Sequence, residues 1–170
     1  MLKYENIADL VAAATKNGQK ISQLVLADQA IQMEQTEEEL YEKMAENFEV
    51  MCQAVVAGEN PSLKSTSGLT GGEGFKMKEY AQKTAGGLSG SFMTKVMSRA
   101  LAVSCCNAAM GRIVATPTAG SCGILPGCLV SLYEEKKYDK KDIIMAIFTA
   151  GAFGLVIAQK ASIAGAQGGC

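Results

Sequence analysis

The chain has 170 residues, 48% hydrophobic and 19% charged, a length and composition that fit one globular domain and exclude a disordered segment. Lys+Arg 16 against Asp+Glu 17 leave a formal net charge of −1, which excludes a nucleic-acid binder driven by bulk basic charge. Histidine is absent, so no His base, His metal ligand or Ser-His-Asp triad is available from these residues.

The first third reads as helices. Ile7, Leu10, Val11 and Ala14 fall at helical spacing before Asn17-Gly18, a stop signal. A second helix is expected from an N-cap at Ser22 to Met33. Thr36-Glu37-Glu38-Glu39 is a capping box, with acids at the positive end of the dipole. It opens a long helix whose apolar stripe is Leu40, Met44, Phe48, Met51 and Val55, closed by Gly58. Its acidic face is a solvated one.

Glycine then changes the texture. Residues 1–57 hold one glycine and residues 58–127 hold 12 of the 18. The chain therefore divides into a Gly-poor helical region 1–57, a Gly-rich region 58–127 of loops and helices, and core helices in 128–170, all within one helical domain. Residues 59–74 form a Ser/Thr/Gly loop. A short helix around Phe75–Lys83 follows, then a break at Gly86–Gly90. Ser91 is expected to cap a helix through Phe92, Val96, Ala100 and Val103 that reaches Val114. Thr116–Gly123 is a further loop. Ile124–Lys136 reads as helical, with a bend near Pro126-Gly127. Asp139 or Asp142 starts the last long helix. No alternating strand pattern and no repeat occurs, so the fold class is mainly α.

The uncharged run from Ile143 to Lys160 is short for a bilayer span and carries Gly151 and Gly154. It reads as a buried core helix, with no membrane partner. Lys3, Glu5, Asp9 and Lys16 interrupt any leader-like apolar core. Six cysteines in a chain of this size suit a reducing, cytoplasmic setting better than a disulfide framework. Cys52, Cys105 and Cys128 lie in apolar helical contexts and read as core, whereas Cys122 and Cys170 lie where glycines would present a thiolate. The apolar, Gly-rich finish from Ser162 to Cys170 reads as a chain cut inside its core.

Chemistry is suggested by a charge gap. Residues 80–133 contain no Asp or Glu but contain Lys83, Lys95, Arg99 and Arg112. A basic, carboxylate-free, Gly-rich stretch favours an anionic ligand held by Arg and by backbone N–H groups of the turns. Neither Ser/Thr/Gly loop is a nucleotide-binding motif. No Cys-x-x-Cys exists, and the cysteine spacings suit neither zinc nor a ferredoxin-type cluster.

Four segments then occur in order: Ser67-Gly-Leu-Thr-Gly-Gly-Glu-Gly74, Ser91-Phe-Met-Thr-Lys95, the block Asn107–Pro126, and Ser162-Ile-Ala-Gly-Ala-Gln-Gly-Gly-Cys170. Together they resemble the alpha subunit of the iron–sulfur-dependent L-serine dehydratases, over essentially the whole chain. The resemblance implies an α-helical catalytic domain around a 4Fe–4S cluster held by three cysteines, one iron being left open for substrate. Cys170 stands at the position of the first ligand. The other two belong to a Cys-Asp-Pro…Pro-Cys segment that these residues do not contain, so the chain corresponds to the N-terminal part of such a subunit and is expected to be inactive alone. Gln167 departs from the family's usual Glu, so no acidic role is carried over there.

The substrate implied is L-serine, dehydrated and deaminated to pyruvate and ammonia. Its carboxylate suits an acid-free region. The candidate substrate-binding residues are Ser65, Thr66, Ser67, Gly68, Thr70 and Gly71 in one loop, Thr116, Thr118 and Gly120 in another, and Asn107. The catalytic base is unassigned; the missing segment or a beta subunit is its expected source. A homo- or hetero-oligomer is expected. Two other readings stay open: a cysteine desulfidase-like lyase releasing sulfide, and a non-catalytic helical subunit that pairs with another chain.

Overall fold

A computed structural model describes residues 4–84, 87–116 and 122–161. Among them are seven α-helices and one 3-10 turn at Gly87–Ser89, with no strand. The helices are α1 (Ile7–Asn17), α2 (Ile21–Gln32), α3 (Glu37–Gly58), α4 (Glu73–Lys83), α5 (Gly90–Ala108), α6 (Ile124–Lys136) and α7 (Lys140–Ala158). The mainly-α expectation is met.

The chain divides into two compact units, one formed by its two ends, up to Glu46 and from Asp139, and the other by Asn47–Tyr138. Helix α3 runs from the first into the second. In the first unit α1 and α7 both pack on α2. Asn6 caps α1 by accepting the Asp9 N–H at 2.9 Å, and Gly18, at φ +62, ends it. Asp139 caps α7 by accepting the Lys141 N–H at 2.7 Å. Helix α7 is apolar and long enough to span a membrane, with a mean hydropathy of 1.8. It buries Ile143, Ile144, Ile147, Phe148, Ala152 and Val156, the stripe of a core helix.

Two helix starts differ from expectation: α5 begins at Gly90, with Ser89 rather than Ser91 at its N-cap position, and α2 begins ahead of Ser22. Ser22 is not a cap. It is buried inside α2, and Lys20 is the N-cap, its N–H taken by the Gln23 side chain at 3.0 Å. The Thr36 box forms as expected: Glu39 N–H donates to Thr36 Oγ1 at 3.1 Å and Thr36 N–H to Glu39 Oε2 at 2.8 Å.

The second unit is organised around α5, which contacts both α4 and α6. Both crossings are made by glycines. A Cβ on Gly74 would stand 2.6 Å from the Ala102 Cα, and one on Gly58 would run into the Ala102 carbonyl. On the α6 side, a Cβ on Gly127 would stand 2.8 Å from the Val96 carbonyl oxygen. Removing side chains at these points lets helix backbones touch, and Val96, Ala102 and Val103 are buried beneath them. Phe48 of α3 meets Tyr133 of α6 edge to face, with ring centroids 5.6 Å apart.

Helix α5 ends at Ala108, six residues before Val114. Gly111 N–H donates to Cys106 O at 2.8 Å and Met110 N–H to Asn107 O at 3.0 Å, with Met110 at φ +61. These are the paired bonds of a left-handed helix stop. Glycine is required at 111, where a Cβ would collide with the Cys106 Sγ.

Candidate functional site

The loop 65–72 folds on itself. Ser65 N–H donates to Thr70 O at 2.8 Å and Gly68 N–H to Ser65 O at 2.9 Å. The Ser65 hydroxyl accepts the Thr70 N–H at 3.1 Å and lies 3.1 Å from the Ser67 hydroxyl. Glycine is needed at the turn positions: Gly68 has φ +73, Gly71 +149 and Gly72 +82. Ser67, Leu69 and Thr70 are exposed at the tip.

This loop is docked on the C-terminal end of α5. Thr66 N–H donates to Ala108 O at 3.1 Å. The candidate residues Ser65, Thr66, Ser67, Gly68, Thr70 and Gly71 therefore lie beside the last turn of α5, where Asn107 sits half-buried. Thr116 is half-buried in the irregular stretch after Gly111. Thr118, Gly120 and Cys170 lie outside the described residues.

The chemistry of the loop differs from an amide cradle. The N–H groups of Ser65, Thr66, Gly68, Thr70 and Gly71 each donate to an acceptor of the chain itself. Those amides are therefore not free for the anion binding expected from the glycine content, and the loop turns Ser67 and Thr70 outward.

The charge gap also resolves differently from its sequence reading. Its acid-free length is measured along the chain, but the carboxylates arrive through space. Arg99, buried, donates to Ser131 at 2.7 Å, Glu134 at 2.5 Å and Glu135 at 3.0 Å. Lys95 pairs with Glu135 at 2.5 Å and Lys83 with Glu79 at 3.2 Å. Three of the four cations are thus neutralised by the fold. Lys95, followed by Arg99, holds the Glu135 carboxyl below the usual range. These groups, with Glu59, Lys78 and Gln82, line a cavity of about 210 Å³ between α4, α5 and α6. Glu59 itself is paired with Lys78 at 2.5 Å.

Glu73 is a site residue that sequence reasoning passed over. It is the first residue of α4, and its carboxylate accepts the Gly71 N–H at 3.0 Å and the Cys105 thiol at 3.2 Å. Hydrogen bonds from the Gly71 and Glu73 amides, then from Cys105, hold its carboxyl below the ordinary value. Its position directly after Gly71-Gly72 was the available signal. An acid in the first turn of a helix is common enough that the signal carried no weight.

The cysteines sort by burial. Cys105, Cys106 and Cys122 are buried, and burial pushes all three thiols up. Cys122 therefore does not present a thiolate, contrary to expectation, because its side chain is fully enclosed. Cys128, expected in the core, is exposed on α6, and Cys52 is half-buried. Among the described residues no group of three Cys, Asp or Glu side chains converges to hold a metal ion. The described cysteines do not fit an iron–sulfur cluster.

The described residues form a mainly helical fold in which a Ser/Thr/Gly loop is seated on the end of α5 with the Asn107 turn beside it. Residues 16–170 match the family described as serine dehydratase alpha chain, and the chain belongs to that family. It is 39% identical to a "probable L-serine dehydratase, alpha chain" of Bacillus subtilis, over 98% of this chain and 55% of that one. It is 34% identical to the L-serine dehydratase alpha chain of Peptoniphilus asaccharolyticus, over 95% and 55%. An L-serine dehydratase of Streptomyces coelicolor is 31% identical over 95% of this chain and 35% of its own. The chain spans about half the length of the first two relatives. No solved structure matches it.

Proposed function

We propose that this chain contributes the substrate loop of an L-serine ammonia-lyase alpha subunit that converts L-serine to pyruvate and ammonia in the cytoplasm, as a step of amino-acid catabolism. The observation that carries the reading is the Thr66-to-Ala108 tie, which brings the loop 65–72 to the Asn107 turn of α5. Family membership supports it. In this reading the exposed hydroxyls of Ser67 and Thr70, with Ser65 and Thr66 behind them, receive the carboxylate and ammonium of serine. Asn107 orients one of the two. Thr116, Thr118 and Gly120 complete the grip from the second loop.

The cofactor in this reading is a 4Fe–4S cluster, with Cys170 as one ligand and the remaining ligands outside this chain. When bound, the cluster would supply Lewis-acid chemistry to the substrate hydroxyl. Loss of the α-proton and the hydroxyl leaves an enamine that hydrolyses to pyruvate and ammonia. A base outside the described residues takes the proton, and a beta subunit is the proposed partner. The test joins this chain to the downstream segment and the beta partner, reconstitutes it anaerobically with iron and sulfide, counts iron and assays pyruvate. Turnover of serine that is abolished by Cys170→Ser is the expected result. Sulfide from cysteine without pyruvate from serine would instead identify a desulfidase, and neither product would leave a non-catalytic subunit.

A further inference from the structure

The group that fastens the loop to the rest of its unit is a carboxylate. Glu73 Oε1 takes the Gly71 N–H and Oε2 takes the Cys105 thiol on α5, at 3.0 and 3.2 Å. Glu73 is itself held from behind. Gly74 seats the start of α4 on Ala102, and the Ser98 hydroxyl donates to Gly74 O at 3.2 Å. Gly71 sits at φ +149, where a Cβ would run into the Leu63 carbonyl. Its peptide adopts a conformation that side-chain-bearing residues rarely reach, and Glu73 supplies the acceptor that holds it. Thr66 and Gly71 are thus tied to α5 on either side of Ser67, Gly68 and Thr70, one directly and one through Glu73.

We infer that Glu73 is a positioning residue: acting through Gly71 and Cys105, it sets the spacing between the loop 65–72 and the C-terminal half of α5, and so the fit of the loop to the carboxylate of serine. The inference rests on the serine-site reading above. Both carboxylate oxygens already accept hydrogen bonds, which argues against a proton-transfer role. The same bonds keep its carboxyl low, which makes it a weak base. The charged and titratable groups facing it are Cys105 on α5 and Lys76 on its own helix.

Two readouts test it. The first needs no turnover: in this chain the Gly71 amide resonance should titrate with the Glu73 carboxyl. That amide should exchange faster with solvent in Glu73→Ala, while Glu73→Gln keeps an acceptor for it. The second uses the whole serine-deaminating enzyme. Glu73→Ala should raise KM for L-serine roughly tenfold, the scale of one lost charge-assisted hydrogen bond, with little change in kcat. Glu73→Gln should restore KM towards wild type. A Gly71 amide that does not titrate overturns the inference. Collapse of kcat in Glu73→Gln does so too, since the carboxylate would then be moving a proton, and so does an unchanged KM in Glu73→Ala. A wild-type enzyme inert towards serine refutes the serine-site reading instead, and the Gly71 amide alone then decides the Glu73 tie.

Discussion

The same substitution, Gly→Ala, should have opposite effects at Gly74 and Gly151. Inside a helix, alanine is intrinsically better than glycine by about 1 kcal/mol. At Gly151 of α7 an added Cβ meets nothing within 4 Å, so most of that gain should appear as stability. At Gly74 the added Cβ would stand 2.6 Å from the Ala102 Cα, 2.8 Å from its nitrogen and 2.9 Å from its Cβ. Carbon atoms rest at roughly 3.5–4 Å, and the obstacle is helix backbone, so α4 and α5 would have to part by about 1 Å. Overpacking of this kind costs about 1–3 kcal/mol. After the propensity gain, Gly74→Ala should be destabilising by up to ~2 kcal/mol, and Gly151→Ala stabilising by up to ~1 kcal/mol. Urea unfolding followed by far-ultraviolet circular dichroism measures both, as midpoint shifts at constant slope. A Gly74→Ala chain as stable as wild type would refute the close-crossing argument for the second unit.

Three further outcomes are expected. Arg99→Ala should destabilise the chain by about 2 kcal/mol in the same unfolding assay, because it strands the buried Ser131 hydroxyl and removes an ion pair from each of two glutamates; the figure sits below that of a fully buried pair because Glu134 is half exposed and Glu135 keeps Lys95. Glu135 has a folded-state carboxyl held below the ordinary value of 4.5. Its contribution should therefore be fully present above the unfolded value and be lost as pH falls below 4.5 and through the folded one; unfolding midpoints measured against pH should flatten in Glu135→Gln. Native-state labelling with a maleimide, mapped by mass spectrometry, should modify Cys128 first among the described cysteines, and Cys105, Cys106 and Cys122 only on unfolding.

What the sequence discloses here is local. The Thr36 box, the Gly18 stop and the Asp139 cap each act within about four residues of themselves; the first two were legible from residue type and spacing, and the third was one of two starts, Asp139 or Asp142, that the sequence allowed. The early end of α5 was not, because Met110 rather than a glycine takes the left-handed position. The long-range features were hidden for the same reason. Arg99 and its carboxylates are some 35 residues apart in the chain, so a count of charge along the sequence showed a basic stretch where the fold pairs three of its four cations. The glycines of the middle third were visible, but not their use as seats for Ala102 and Val96. In the candidate site, the hydroxyl-rich loop and Asn107 were singled out from sequence by the family resemblance. Glu73 and Cys105 were missed because their partnership crosses from α4 to α5.

The two units differ in how the chain supplies them. Asn47–Tyr138 is one unbroken stretch, whereas its companion is assembled from the two ends. During synthesis from the N-terminus the unbroken unit has all its helices once Tyr138 has emerged. Helix α2 is made before α7, its main packing partner. At ribosomal rates of about 5–20 residues per second, the buried faces of Leu24 and Val25 stay uncovered for several seconds. The interval leaves α2, rather than the loop 65–72, open to wrong partners.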